Sequence, residues 1–128
     1  MRNRFLGLAV LSVAVLTIPA PVLAHHGTAS YDTSKTVTVK GMITDFQFSN
    51  PHVLIFMDAK DDKGSVQKWQ GELTSPNHLE RAGWTRTSIR VGDTITIAGY
   101  AAKSGATSMW ISKVMLADGT PLNTGLGN

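Results

Sequence analysis

The sequence predicts an all-β domain with one short helix, folded as a small five-stranded Greek-key barrel of the OB type. Short segments in which apolar and polar residues alternate are separated by turn residues, which is typical of strands. A single helical segment lies between the third and fourth of them. Three strands, a helix and two strands within about 80 residues is the order of an OB-type barrel. A small open antiparallel sheet or a sandwich with the helix on one face is the alternative.

The first 24 residues have the pattern of a secretory signal peptide. Arg2 and Arg4 precede an uncharged apolar segment at 5–18, and the small residue Ala24 ends the stretch "PAPVLA". The apolar segment is shorter than the roughly 20 residues that span a membrane. We therefore expect cleavage after Ala24 and export to the periplasm as a protein without a membrane span.

Cleavage would leave 104 of the 128 residues, with ten basic and nine acidic side chains. This length suits one domain with a modest core. The nearly balanced charge does not indicate the clustered basic surface of a nucleic-acid-binding protein. Because the sequence contains no cysteine, disulfides, lipid attachment through cysteine and thiol catalysis are excluded.

The first predicted strand covers 36–48. Val37, Val39 and Ile43 fall on one face, after which the phase shifts so that Phe46 and Phe48 turn inward. A phase shift near an interior glycine, Gly41 in this strand, is typical of a strand that bends between two parts of a small barrel.

The remaining elements follow in order. "VLIFMDA" from Val53 is the second strand, the turn "DDKG" contains Asp61 and Asp62, and "SVQKWQGEL" is the third strand. The helix is "SPNHLERAGW", with Thr74 or Ser75 as its cap and Gly83 at its end. "DTITIAGY" and "SMWISKVML" supply the last two strands. The predicted domain boundaries are a signal peptide at 1–24, an N-terminal arm at 25–35, the barrel at 36–119 and a flexible tail at 120–128.

Five segments together resemble a family of small exported bacterial proteins catalogued as a domain of unknown function. They are "HHGTASYD", "VKGMITDFQFSNPH", "KWQGELTSPNHLERAGW", "IRVGDTITIAGY" and "SMWISKVMLADG", and their most specific parts are Asn50-Pro51-His52, Gly83-Trp84 and Val91-Gly92-Asp93. The resemblance covers nearly the whole chain after the signal peptide. It implies a periplasmic, OB-like domain and brings no activity with it.

Enzyme motifs are missing from the sequence. It contains no phosphate-binding glycine loop, no His-Glu-x-x-His and no Gly-x-Ser-x-Gly. No spacing rule pairs Glu72 with Glu80 as catalytic carboxylates, and Asp61 and Asp62 lie in a predicted solvated turn. We therefore expect a binding protein and not an enzyme.

The histidines indicate a transition metal, with copper first. After cleavage, His25 would carry both an α-amino group and an imidazole, two nitrogens that chelate a metal together. His26 and His52 are the other candidate ligands, because Pro51 stiffens the turn that presents His52. The competing interpretation is that His25 and His26 belong to a disordered terminus and that Asn50-Pro51-His52 is a plain turn. We interpret His78, within the helix, as a structural or surface histidine, and the pair Tyr31-Asp32 as an anchor of the arm.

Methionines offer a second metal hypothesis. Met57, Met109 and Met115, with Trp69 and Trp110, are residue types that bind copper(I). Core packing is the favoured interpretation for Met57 and Met115, which fall within apolar strand segments, and for Trp69 and Trp84.

The alternative to metal binding is a metal-free module that binds a protein or another ligand. OB-type barrels bind through one sheet face and the loops at its rim. The candidate face residues are Trp110, Tyr100 and Gln70, and the candidate loops are 50–52 and 103–107.

Overall fold

The structure, a computed structural model, describes residues 27–126. A 3-10 helix, Gly27–Ser30, leads into six strands and one α-helix. In chain order these are β1 (Tyr31–Gln47), β2 (Leu54–Lys60), β3 (Val66–Glu72), α1 (Pro76–Arg81), β4 (Thr94–Ala102), β5 (Ser108–Leu116) and β6 (Pro121–Leu122). The predicted order of three strands, a helix and two strands is confirmed, and a two-residue strand follows it.

Strand pairing closes the sheet into a barrel. β1 pairs antiparallel with both β2 and β4, β2 continues to β3, and β4 continues to β5. Parallel pairing of β3 with β5 joins the two ends, and β6 adds to the far part of β5. The closed five-stranded barrel confirms the predicted OB-like class over the open sheet or sandwich.

β1 bends where the sequence predicted a change of phase. Its register against β2 shifts between Ile43 and Asp45, so residues of odd number face inward before the shift and residues of even number after it. Ile43 is fully buried and Phe48 is 4% exposed. One strand thereby contributes to both sides of the barrel core.

The barrel encloses one apolar core drawn from β1, β2, β4, β5, α1 and the loops between the elements, and Trp69 of β3 packs partly buried against it. Burying these side chains supplies the main driving force for folding. The buried members are Ile43, Phe48, Val53, Ile55, Met57, Leu73, Leu79, Trp84, Ile89, Ile95, Ile97, Met109, Ile111 and Val114.

The helix has the predicted signals at both ends. The Ser75 side chain accepts a hydrogen bond from the His78 backbone N–H, and Pro76 occupies the first turn. At the other end Gly83 has φ +98°, and its N–H and that of Trp84 bond the carbonyls of Glu80 and Leu79. This is a Schellman motif, which places Trp84 over the core. No helix within residues 27–126 is long and apolar enough to cross a membrane.

Part of the segment 25–35, which the sequence predicts to be an N-terminal arm, is paired with the barrel. β1 begins at Tyr31, and Tyr31 and Asp32 pair with Ala102 and Ala101 of β4. Lys103 adds two hydrogen bonds, from its N–H to Ser30 O and from Nζ to Ala29 O. The alternation of residues in 36–48 did not reveal this backbone pairing. Because of it, β1 begins at residue 31 and not at 36.

The segment 120–128, which the sequence predicts to be a flexible tail, contacts the barrel in the part that the structure describes, 120–126. Trp84 Nε1 donates to Asn123 O at 2.6 Å, and His78 Nε2 lies 2.8 Å from Gly125 O. The hydroxyl of Thr124, which is 4% exposed, donates to Ser112 O. These bonds hold the segment against α1 and β5, and they confirm a structural role for His78.

Candidate functional site

Of the three predicted metal ligands, the structure describes only His52. His25 and His26, like the predicted signal peptide, lie outside the described residues. His52 lies in the loop between β1 and β2, directly after the cis peptide bond between Asn50 and Pro51. Its side chain is 23% exposed, so one edge of the imidazole can still be reached from solvent.

His52 is held by Glu72, the last residue of β3. Nδ1 of His52 is hydrogen-bonded to Glu72 Oε1. The other carboxylate oxygen, Oε2, accepts a hydrogen bond of 2.6 Å from the Tyr31 hydroxyl. Both oxygens therefore have a donor, one from the β1–β2 loop and one from the start of β1.

Trp110 forms the wall behind this group. Its ring lies edge-on to His52, with centroids 5.5 Å apart and planes at 87°, and it also contacts Tyr31 at 6.1 Å. In the ladder Trp110 is paired with Glu72 of β3 and with Tyr100 of β4. Trp110 and Tyr31 are each only 7% exposed. They form a small aromatic layer on the outside of the barrel, on the face opposite Met109 and Ile111.

The environment keeps the Tyr31 hydroxyl protonated. Burial, together with the hydrogen bond and negative charge of Glu72, raises the pKa of Tyr31 well above its ordinary value. A neutral phenol is the hydrogen-bond donor to a neighbouring carboxylate, so the Tyr31 hydroxyl donates and Glu72 accepts. We call Tyr31, His52, Glu72 and Trp110 the Glu72 cluster.

The Glu72 cluster is not a complete metal site and contains one imidazole, that of His52. Within residues 27–126 no three His, Cys, Asp or Glu side chains are grouped closely enough to hold a metal ion. Nδ1 of His52 is used by Glu72, which leaves Nε2 as the nitrogen of that ring available to a ligand. Any metal held here needs further ligands from outside the described residues.

The predicted ligand face is partly covered. Trp110 is buried in the Glu72 cluster and offers no open aromatic surface, which contradicts its proposed place on an exposed face. Tyr100 and Gln70 are half-buried. Gln70 lines a groove of about 390 Å³ with Phe56, Lys68, Trp69 and Thr107, and the loop 103–107 forms one side of it.

The groove is closed on one side by hydrogen bonds between that loop and β3. Thr107 donates its hydroxyl to Lys68 O at 2.6 Å, and its carbonyl accepts the Gln70 N–H at 3.1 Å. Lys68 is also paired with Asp58 across the β2–β3 ladder at 3.3 Å. Loop 103–107 is therefore bonded to β3 beside Gln70, one of the predicted face residues.

The methionines do not form a common thioether site. Met57 and Met109 are buried in the core, at 1% and 0% exposure. Met115 is 46% exposed, so the prediction that it packs in the core is wrong. Trp69 is only partly buried against the core, whereas Trp84 is 3% exposed as predicted.

The sequence did not identify Glu72 or the part played by Tyr31. Tyr31 was expected to pair with Asp32, but Asp32 instead accepts hydrogen bonds from the backbone and hydroxyl of Ser34. The one usable signal for Glu72 was a carboxylate at the end of a strand whose neighbours are mostly apolar or uncharged.

A five-stranded barrel closed by parallel pairing of β3 with β5, with its helix between β3 and β4, defines an OB-like protein. Among solved structures, the chain is similar to the mitochondrial single-stranded DNA binding protein of S. cerevisiae, Rim1. The TM-score is 0.50 and the identity 12%, over 65% of this chain and 93% of that one. At that identity the similarity concerns the fold alone.

Residues 11–110 match the model of DUF6152, a family of unknown function, and the chain belongs to this family. The match confirms the resemblance drawn from the sequence motifs. No curated protein matches the chain.

Proposed function

We propose that this protein is exported to the periplasm and binds copper(II) through His25, His26 and His52, without catalysing a reaction. One observation carries the proposal. Tyr31, at the end of the arm that leads back to His25, bonds the same carboxylate that holds His52. Tyr31, where β1 begins, is therefore bonded to the same side chain as His52, the predicted third ligand.

The chemistry of the proposed ligands favours copper. Signal cleavage after Ala24 would give His25 an α-amino nitrogen with an ordinary pKa near 8, beside its own imidazole. Copper(II) prefers such nitrogen ligands in a tetragonal arrangement and binds more tightly than the other divalent metals of its series. His26 supplies a third nitrogen, and Nε2 of His52 a fourth from the folded domain.

Chain length permits this arrangement. Tyr31 is six positions after His25, and Gly27–Ser30 form a 3-10 helix. At about 2.0 Å per residue in that helix and about 3.3 Å per residue elsewhere, the segment spans at most about 16 Å. Tyr31 Oη and His52 Nδ1 contact the two oxygens of one carboxylate. The proposal requires the segment 25–30 to run from Tyr31 toward His52.

The test is a copper(II) titration of protein that begins at His25, followed by calorimetry and electron paramagnetic resonance. We expect one copper per protein with several nitrogen ligands, and an affinity at least tenfold lower in His52→Ala. His78→Ala is the matched control, because it removes a histidine that bonds the tail and not the arm. Weak binding that is equal in all three proteins would overturn the proposal.

A second candidate function uses the groove beside loop 103–107. Its lining combines an aromatic ring, an amide and hydroxyls, from Phe56, Gln70, Thr107 and Ser108. Lys68, its one basic residue, is already paired with Asp58. This chemistry suits an uncharged polar ligand such as an oligosaccharide better than a polyanion.

Tryptophan fluorescence can test the groove, because Trp69 lines it. Titration with a neutral oligosaccharide, maltotetraose, should change the emission of the wild type but not that of Trp69→Phe. Gln70→Ala should weaken the change without altering copper binding. If maltotetraose at millimolar concentration causes no change in emission, this second function loses its support.

A further inference from the structure

We propose that Glu72 is a positioning residue that fixes the proton of His52 on Nδ1 and so presents Nε2 to a metal ion. Tyr31 supports it by holding the second oxygen of the carboxylate. The assignment of the tautomer stands on geometry alone, and its use for copper rests on the proposed function. Glu72 touches no metal in this scheme and acts only through His52.

The carboxylate is fixed from several sides. Oε1 contacts His52 and Oε2 accepts the Tyr31 hydroxyl at 2.6 Å. The backbone of Glu72 is paired with Leu54 of β2 and with Trp110 of β5, where the barrel closes. The Glu72 side chain is 19% exposed, so protein atoms cover most of its surface.

The partner of Nδ1 decides which tautomer His52 adopts. An ionised carboxylate only accepts hydrogen bonds, so Nδ1 must carry the hydrogen. In the neutral imidazole this leaves the lone pair on Nε2, the nitrogen that would bind the metal. A histidine that donates its second N–H to a carboxylate is the usual arrangement around protein-bound metals, because the carboxylate fixes the ring and raises its basicity.

Trp110 limits the ring in the remaining direction. The 87° edge-on contact with His52 restricts rotation of the imidazole about its Cβ–Cγ bond. Flipping the ring would place a carbon beside the carboxylate and leave Glu72 with one donor instead of two. The orientation of His52 is therefore set before any ligand arrives.

The first measurement needs no metal. Long-range ¹H–¹⁵N correlation spectra of metal-free protein at pH 8 distinguish a protonated ring nitrogen from one with a free lone pair. We expect His52 to show a single tautomer with the proton on Nδ1. In Glu72→Gln the amide can donate as well as accept, so the single tautomer should be lost. Glu80→Gln, on the exposed side of α1, is the matched control and should leave the spectrum of His52 unchanged.

The second measurement is copper affinity of the same proteins, each beginning at His25. Removing a residue that orients a metal ligand typically costs 10- to 100-fold in affinity, and we expect that loss for Glu72→Gln. The double variant His52→Ala/Glu72→Gln should bind no more weakly than His52→Ala, because Glu72 acts only through His52. Circular dichroism and thermal unfolding verify that each variant is folded.

The outcomes separate the two claims. A wild-type proton on Nε2, or a mixture of tautomers, overturns the positioning role whatever copper does. The expected tautomer with copper binding that ignores His52 supports the assignment of Glu72 and rejects the proposed function. If Glu72→Gln loses the tautomer but keeps wild-type affinity, while His52→Ala weakens binding, Glu72 has no part in presenting the ligand.

Discussion

Replacing Tyr31 with phenylalanine should destabilise the protein by removing one hydroxyl and nothing else. The ring would keep its contact with Trp110, 6.1 Å away. What is lost is the 2.6 Å hydrogen bond to Glu72, which leaves Oε2 without that donor while His52 still occupies Oε1. The substitution therefore isolates one bond between the first residue of β1 and the last residue of β3.

The expected loss is about 1.5 kcal/mol in the free energy of unfolding. Hydrogen bonds to charged groups contribute roughly 1.5 to 3 kcal/mol. We take the lower end because Glu72 keeps 19% of its side-chain surface exposed, so water can replace part of the bond. For a domain of this size the loss corresponds to a decrease of roughly 6 to 12 °C in Tm.

The same bond predicts how the difference depends on pH. The pKa of Tyr31 is raised in the folded protein, whereas an unfolded tyrosine ionises near pH 10. The contribution is therefore fully present below about pH 10 and is lost as the pH rises toward the folded pKa. Above pH 10 the wild type should lose at most about 1.4 kcal/mol per pH unit through this group, and Tyr31→Phe should lose none. The neighbouring titratable groups are Glu72, which makes the bond, and His52 beyond it.

Urea unfolding at pH 8, 10 and 11, followed by tryptophan fluorescence, measures both effects. Tyr100→Phe is the matched control: within residues 27–126 its hydroxyl makes no hydrogen bond to another residue, so the substitution should change the free energy of unfolding little at pH 8. A difference under 0.5 kcal/mol between wild type and Tyr31→Phe at pH 8 would refute the argument. So would a difference that is as large at pH 11 as at pH 8.

Four further changes, one insertion and three substitutions, have defined outcomes. An alanine added before His25 should lower copper affinity sharply in calorimetry and leave Tm unchanged, since it moves the amino group off the histidine. Trp84→Ala should cost about 3 to 5 kcal/mol in urea unfolding, and Trp69→Ala clearly less, because Trp69 is only partly buried; equal losses would contradict this. Gly99→Ala should yield little folded protein by circular dichroism, because its Cβ would lie 1.9 Å from the carbonyl oxygen of Trp110.

The parts of the fold that sequence could predict depend on local physics. Gly83 ends α1 in a left-handed conformation and Ser75 caps it, because both signals act within a few residues. The change of phase in β1 was visible because Val37, Val39 and Phe46 cannot all face one core in a regular strand. Such patterns give the order of the first five strands and the helix.

The candidate site depends on contacts that no local pattern records. His52 and Glu72 are 20 residues apart, and Tyr31 and Glu72 are 41 apart. Glu72 also needs Trp110 beside it, which requires the parallel pairing of β3 with β5. Met115 failed as a core prediction for a related reason: its apolar strand has one face outside the barrel, where it pairs with Thr96.

The position of Tyr31 shows how an irregular backbone determines which face a side chain occupies. In a regular strand Tyr31 would share a face with Val37 and point inward, because side chains alternate. The register against β4 shifts between Asp32 and Thr36, however. Tyr31 pairs with Ala102 and Thr36 with Tyr100, two residues of β4 that share the outer face.

The inserted residues therefore turn Tyr31 from the core side to the outside, where it meets Trp110 and Glu72. Asp32 stabilises this bulge by accepting the backbone N–H and the hydroxyl of Ser34, and these bonds lower the pKa of its carboxyl. The sequence Asp32-Thr33-Ser34-Lys35, polar and short, is the local cause. Its effect is remote, because without the shift in register the phenol could not reach the carboxylate that holds His52.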